Sequence, residues 1–185
     1  MPADANGAPR PTVHRQGNQL VTNIPVFSVG SPDHIVTAGI GHDGQVLEQG
    51  STELFRGTTK IGTDDAPGAG TFALPETTDT HRLVVTGSRP SPLSTKVRSE
   101  WTFTSGHTED TARTPVDLLD LGFDLPLDLR NTARADKSLS DSLTVRHQPG
   151  ASGMSPVRKV TVDVSYDDGK TWSPAEAEPA AKGRW

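Results

Sequence analysis

Apolar and polar residues alternate along several stretches of the chain, and the clearest case spans residues 119–129. Leu119, Leu121, Phe123, Leu125, Leu127 and Leu129 alternate there with Asp120, Gly122, Asp124, Pro126 and Asp128. Successive side chains of a strand point to opposite faces, so a period of two predicts a half-buried strand with an acidic outer face. Pro126 has no N–H to give a ladder and places a bend or a sheet edge at that point. Residues 139–147 repeat the device with Leu139, Leu143 and Val145. Residues 160–166 do so with Val160, Val162, Val164 and Tyr166 against Thr161, Asp163 and Ser165. Upstream, residues 96–105 set Val97, Ser99, Trp101 and Phe103 against Arg98, Glu100, Thr102 and Thr104, a strand that should insert Trp101 and Phe103 into a core. No window sustains a 3.6-residue apolar period, so almost no helix is expected apart from a turn near residues 175–181.

Shorter apolar runs at residues 20–29, 35–38, 45–48, 53–56, 71–74 and 81–86 are punctuated by residues 39–44 (Gly-Ile-Gly-His-Asp-Gly) and 64–68 (Asp-Asp-Ala-Pro-Gly). Short strands at this spacing indicate an antiparallel sandwich or barrel. Pro25 marks the first run as an edge or a bulge. Residues 1–18 are rich in Pro, Gly, Ala and Asn and read as a flexible N-terminal arm. Residues 106–115 contain one apolar residue, Ala112, and read as a linker. The expected organisation is all-β: an arm at 1–18, a first β-sandwich at 19–105, a linker at 106–115, and a second β-sandwich at 116–185. Three strands and a hairpin return are fewer than the roughly seven of a fibronectin-like sandwich, so the second module is expected to be incomplete. Lys182, Gly183, Arg184 and Trp185 read as the opening of a further strand.

Composition narrows the partners. The 185 residues include 18 glycines and 15 prolines, with only 32% apolar and 5% aromatic residues, which favours turns and short strands. The net charge of -5 leaves no basic stripe for phosphates, so nucleic acid is not expected as a partner. No run approaches the roughly 20 apolar residues of a membrane helix, and the N-terminus lacks a signal-peptide pattern. With zero cysteines there is no disulfide framework, thiol nucleophile or thiolate metal site.

The most specific string is residues 165–172, Ser-Tyr-Asp-Asp-Gly-Lys-Thr-Trp, which matches the S-x-D-x-G-x-T-W pattern called the Asp box at Ser165, Asp167, Gly169, Thr171 and Trp172. The box resembles a hairpin of sialidases and other β-propeller proteins, in which the Asp caps the turn and the Trp packs beneath it. Asp-Gly suits such a turn, and Trp172 is expected to re-enter the apolar layer. A sialidase resembles many blades with several boxes and an arginine triad, so one box implies a structural hairpin. A surface calcium ion near Asp167 and Asp168 is the alternative use of those carboxylates.

The remaining chemistry is sparse. His14, His34, His42, His81, His107 and His147 stand singly, without metal-ligand spacing, and read as solvated or edge residues. Asp117, Asp120, Asp124 and Asp128 could supply paired carboxylates for glycoside hydrolysis, but residues four apart on a strand are about 13 Å apart, so a solvated face is the better account. No G-x-S-x-G elbow or phosphate loop occurs, and Ser152 and Ser155 lie in a Gly- and Pro-rich loop. No catalytic residue and no cofactor are expected.

Three strings appear in order: Ser99 to Ser105 (SEWTFTS), Leu118 to Arg134 (LLDLGFDLPLDLRNTAR) and Val160 to Trp172 (VTVDVSYDDGKTW). Together they resemble the C-terminal β-rich region of large secreted subtilisin-like serine peptidases of actinobacteria, over residues 20–185. The subtilase strings D-[ST]-G, H-G-T and G-T-S-M-A are absent, so the resemblance carries over no catalytic residue. It implies tandem immunoglobulin- or fibronectin-like modules following a protease, secreted as part of a longer precursor. The expected role is a noncatalytic spacer, stabiliser or binding surface for a protein substrate or a cell-surface glycan, and the alternative is a small carbohydrate-binding or sialidase-related module.

Overall fold

A computed structural model describes residues 12–27, 48–90, 95–130, 132–134, 137–138, 140–153, 156–180 and 183–185. The strands expected at 35–38 and 45–47, the turn at 39–44, His34, His42 and Leu139 lie outside them. The described residues are all-β: twelve strands and no helix. The chain forms two compact units, one of Met1–Leu118 with Gln148–Gly153, the other of Leu119–His147 with Met154–Trp185.

The first unit holds eight strands: β1 Val13–Gln16, β2 Gln19–Asn23, β3 Gln49–Arg56, β4 Thr59–Asp64, β5 Ala69–Ala73, β6 Asp79–Ser88, β7 Lys96–Ser105 and β8 Thr114–Pro115. They make two antiparallel four-stranded sheets, ordered β5-β2-β1-β8 and β4-β3-β6-β7. Each sheet contributes to one buried cluster: Val13, Leu20 and Phe72 from the first, and Leu54, Leu83, Val85 and Phe103 from the second. Sharing a core between two faces is what defines a sandwich. The β6–β7 ladder runs for ten pairs, from Asp79↔Ser105 to Ser88↔Lys96. As the alternation predicts, Phe103 is buried and Trp101 packs half-buried against the core.

The sequence-based boundaries of this unit need correction. Residues 13–16 are not an arm but β1, whose Val13 and Arg15 are buried. The Arg15 guanidinium donates from Nε to the Gly17 carbonyl (2.7 Å) and from Nη2 to that of Pro75 (2.7 Å), so β1 is tied to its own turn and to the segment that follows β5. Residues 106–115 are not a free linker either. His107 N–H reaches the Glu76 carbonyl, Gln16 Nε2 donates to the Asp110 carbonyl (2.8 Å), and β8 pairs with β1. Val116 and Leu118 then enter the core. A strand of two residues and one with a single apolar residue, Ile61 of β4, are too short or too polar for a period to register. The first run ends at Asn23, before Pro25.

Gln148 explains why the chain returns to the first unit. Its fully buried amide accepts at Oε1 from Thr12 N–H (3.1 Å), Thr12 Oγ1 (3.2 Å) and Val13 N–H (3.3 Å). Its Nε2 donates to the carbonyls of Val13 (2.8 Å) and Val116. One side chain thereby bonds backbone groups of both β1 and the segment that follows β8, as buried polar groups require.

The second unit holds β9 Leu119–Asp124, β10 Ser142–His147, β11 Val162–Val164 and β12 Ser173–Ala175. β9 and β10 form one ribbon and β11 and β12 another. Residues 183–185 extend the first ribbon: Leu143 N–H and C=O both bond to Trp185 (3.0 and 2.9 Å), and Val145 N–H reaches the Gly183 carbonyl (2.9 Å). β10 is therefore flanked on both sides, whereas β9 pairs with β10 alone among the described residues. The expected eleven-residue strand stops at Asp124. Leu127 N–H bonds back to the Leu125 carbonyl (2.8 Å), a three-residue turn around Pro126 that ends the ladder. Residues 175–180 contain no helical turn.

Candidate functional site

The Asp box lies where its pattern requires, on the loop joining β11 to β12 with the register Val164↔Ser173. Asp167 organises the turn. Its Oδ1 accepts from Ser165 Oγ (2.8 Å), Lys170 N–H (3.0 Å) and Thr171 N–H (2.8 Å), and its Oδ2 accepts from Thr171 Oγ1 (2.6 Å). Ser165 Oγ in turn accepts from Gly169 N–H (2.9 Å). Asp168 and Gly169 take the left-handed conformation at φ 63° and 83°, which Gly adopts without strain and Asp tolerates. Bonds to Thr171 and then to Ser165 favour the charged carboxylate and hold Asp167 at about 2. Among the described residues, no three His, Asp or Glu side chains gather as a metal group.

Trp172 departs from expectation. It does not enter an apolar layer: its side chain is 62% exposed, and its indole N–H donates to the Gly169 carbonyl (3.1 Å), folding the ring over its own turn. Tyr166, on the same loop, is 93% exposed. The three-residue strands beside the loop are too short to carry both aromatics into a core.

A second turn of the same chemistry follows β9. Asp128 Oδ1 accepts from Arg130 N–H (2.8 Å) and Thr132 N–H (3.0 Å), and Oδ2 accepts from Thr132 Oγ1 (2.8 Å). The bond to Thr132 N–H is the first cause holding this carboxyl below its usual range. In both turns an Asp grips the N–H and hydroxyl of a Thr four residues on. The shared D-x-x-x-T spacing was the signal for this turn, and reading Asp128 only as part of an acidic face missed it.

The face of β9 also differs from expectation. Leu121 and Phe123 are 60% and 63% exposed, and Leu119, Leu125, Leu127 and Leu129 are exposed as well. Across the ladder, Leu143 stands opposite Phe123 and Val145 opposite Leu121, and both β10 residues are buried. The same apolar face is therefore closed at the central strand and open at the edge strand. On the other face, Asp120 is partly buried rather than solvated. Burial raises its carboxyl above the usual range, against the pull of Arg146 directly opposite.

Among the described residues, no histidines gather with other possible metal ligands. His14 and His81 are buried, contrary to the expectation of solvated rings, and His81 stacks on Phe103 at 6.0 Å with neither ring nitrogen hydrogen-bonded. Burial lowers the affinity of both rings for a proton. His107 Nδ1 lies 2.8 Å from Asn18 Oδ1. Asp120 stands opposite Arg146 and Asp124 opposite Ser142, Asp128 caps its own turn, and Asp117 belongs to the first unit. What the unit offers chemically is apolar and aromatic surface. No protein-family model, curated protein or solved structure matches the chain.

Proposed function

We infer that the chain is a noncatalytic accessory region of a larger secreted polypeptide, with the sandwich of the first unit as a stable scaffold and the second unit as a recognition surface. One observation carries this reading: all eight exposed large hydrophobic side chains among the described residues belong to the second unit. Contiguous exposed apolar residues mark interaction sites in soluble proteins. The three strings that resemble the C-terminal region of subtilisin-like peptidases supply the parent, and tandem immunoglobulin- or fibronectin-like modules supply the architecture. The test has two parts. The reading frame upstream of this chain is sequenced and should encode the D-[ST]-G, H-G-T and G-T-S-M-A strings; a frame without them overturns the peptidase parent. The purified chain is also treated with a fluorophosphonate probe, and covalent labelling would overturn the noncatalytic reading.

The exposure of Tyr166 and Trp172 favours a second reading, a carbohydrate-binding module, because exposed aromatic planes stack on sugar rings. Glycan binding that is lost in Trp172→Ala, with the circular dichroism spectrum unchanged, would support it. Equal binding by the variant would reject it.

A further inference from the structure

We propose that the edge of β9 at Leu121 and Phe123 receives an extended polypeptide segment of alternating basic and apolar residues, which joins the β9–β10 sheet as an added strand. This rests on the reading of the second unit as a recognition surface and names its partner's chemistry. The phase of the ladder decides which backbone groups are available. Gln148 N–H donates to the Leu118 carbonyl (2.9 Å) in the register that continues through Asp120↔Arg146, Gly122↔Thr144 and Asp124↔Ser142. Leu118, Asp120, Gly122 and Asp124 therefore turn their N–H and C=O toward β10, and Leu121 and Phe123 turn theirs away from it. The bonds of Leu143 and Val145 to residues 183–185, on the opposite side of β10, agree with that phase.

An edge of this kind is ordinarily guarded by lysines, a bulge or a covering loop. β9 has no lysine, its register with β10 is unbroken, and its outward-bonding residues carry exposed Leu and Phe side chains. An added strand would meet Leu121 and Phe123 at hydrogen-bonded positions and place its own apolar residues beside theirs. Its alternate residues would stand against Asp120, Gly122 and Asp124 at non-hydrogen-bonded positions, where side chains approach most closely. From Thr114 to Leu129 the chain carries four aspartates and no Lys or Arg. Asp120 already faces Arg146, but Asp124 lies opposite Ser142 and forms no ion pair among the described residues. Basic side chains complete this face, and acidic ones would meet repulsion; Gly122 leaves room for a long side chain to lie across it.

The test uses the full chain and fluorescent peptides of about ten residues, near the length of a long strand, one alternating Lys with Val and one alternating Glu with Val. The Lys peptide should bind and protect the Leu121 and Phe123 amides from hydrogen exchange, and the Glu peptide should bind at least about tenfold more weakly. Leu121→Pro removes an outward N–H that β10 does not use, so it should weaken the Lys peptide by about tenfold or more, well beyond Leu121→Ala, which keeps that N–H. Retained protection of Leu143 and Val145 shows that the ribbon of the proline variant is intact; should it be lost, the exchange data on the unsubstituted chain still decide. Equal binding of both peptides, or no protection of Leu121 and Phe123, overturns the proposal. So does a concentration-dependent dimer that Leu121→Pro abolishes, since the occupant would then be a second copy. Glycan binding through Trp172 without peptide binding would overturn this proposal and leave the recognition-surface reading standing.

Discussion

β7 in the first unit and β9 in the second both alternate apolar with polar side chains, yet Phe103 of β7 is buried while Phe123 of β9 is 63% exposed. The local pattern does not separate them; their neighbours do. β7 lies in a four-stranded sheet whose inner face shares a core with a second sheet. β9 is the edge of a ribbon whose central strand, β10, takes the buried places. Alternation states that a strand has two unlike faces. It does not state that anything covers the apolar one.

The sharpest way to test that contrast is to truncate one leucine in each unit. Leu83→Ala, in the core of the first unit, should cost about 2–5 kcal/mol of stability in denaturant unfolding followed by Trp101 fluorescence in a Trp172→Phe, Trp185→Phe background. A loss below about 1 kcal/mol would mean that this core is loosely packed. Next in size is Gln148→Leu, which keeps the volume but takes away the acceptor of the buried Val13 N–H and the side-chain donor to the Val116 carbonyl; a loss of about 1–3 kcal/mol is expected by the same measurement.

Acid should act on the first unit through His81 and His14. Burial, the largest cause, holds both rings below their ordinary value of 6.5; Asp79 opposes it at His81, and Arg15 and Arg56 add to it, while Arg113 adds to it at His14. The unfolded chain thus takes up protons before the folded one. The stability this contributes is complete above 6.5 and declines as the pH falls from there through the folded values. Denaturation midpoints should drop between about pH 7 and about pH 5, and His81→Leu should flatten that slope. An unchanged slope would remove His81 as its source.

The second unit should behave differently. Asp167 titrates at about 2 against an ordinary 3.8, so its contribution is present above 3.8 and fades as the pH falls through about 2. NMR of the Asp167 carboxyl should show that midpoint, and Asp167→Asn should speed hydrogen exchange at Lys170 and Thr171. The smallest effect is expected at the exposed face, where Leu121→Ala should change stability by within about 0.5 kcal/mol. A large loss there would show that the face is covered in solution.

Much of the fold was legible in advance because its signals are local. The bounds of β7 follow from ten alternating residues, and the turn at residues 64–68 appears as Asp64 Oδ1 accepting from Ala66 N–H (2.9 Å) and Gly68 at φ 81°. The Asp-box hairpin was legible too, because all its bonds lie within residues 165–172. β1 and β8 were not. Val-His-Arg-Gln is a strand through its ladders with β2 and β8, Thr-Pro is one only through β1, and the buried Arg15 reaches the carbonyl of Pro75, sixty residues away. The exposure of Trp172 was illegible for a related reason: its pattern specifies a turn but not a layer to receive the ring.

Periods, prolines and Asp-Gly pairs act over a few residues, so the all-β class, the strongest strands and the turn at Asp167 are already written in the chain. Where the units part, which polar residues are buried and the exposure of the apolar face of β9 emerge only in the folded molecule. Those outcomes depend on partners distant in sequence, such as Val13 with Gln148, 135 positions apart, and no local pattern records such partners.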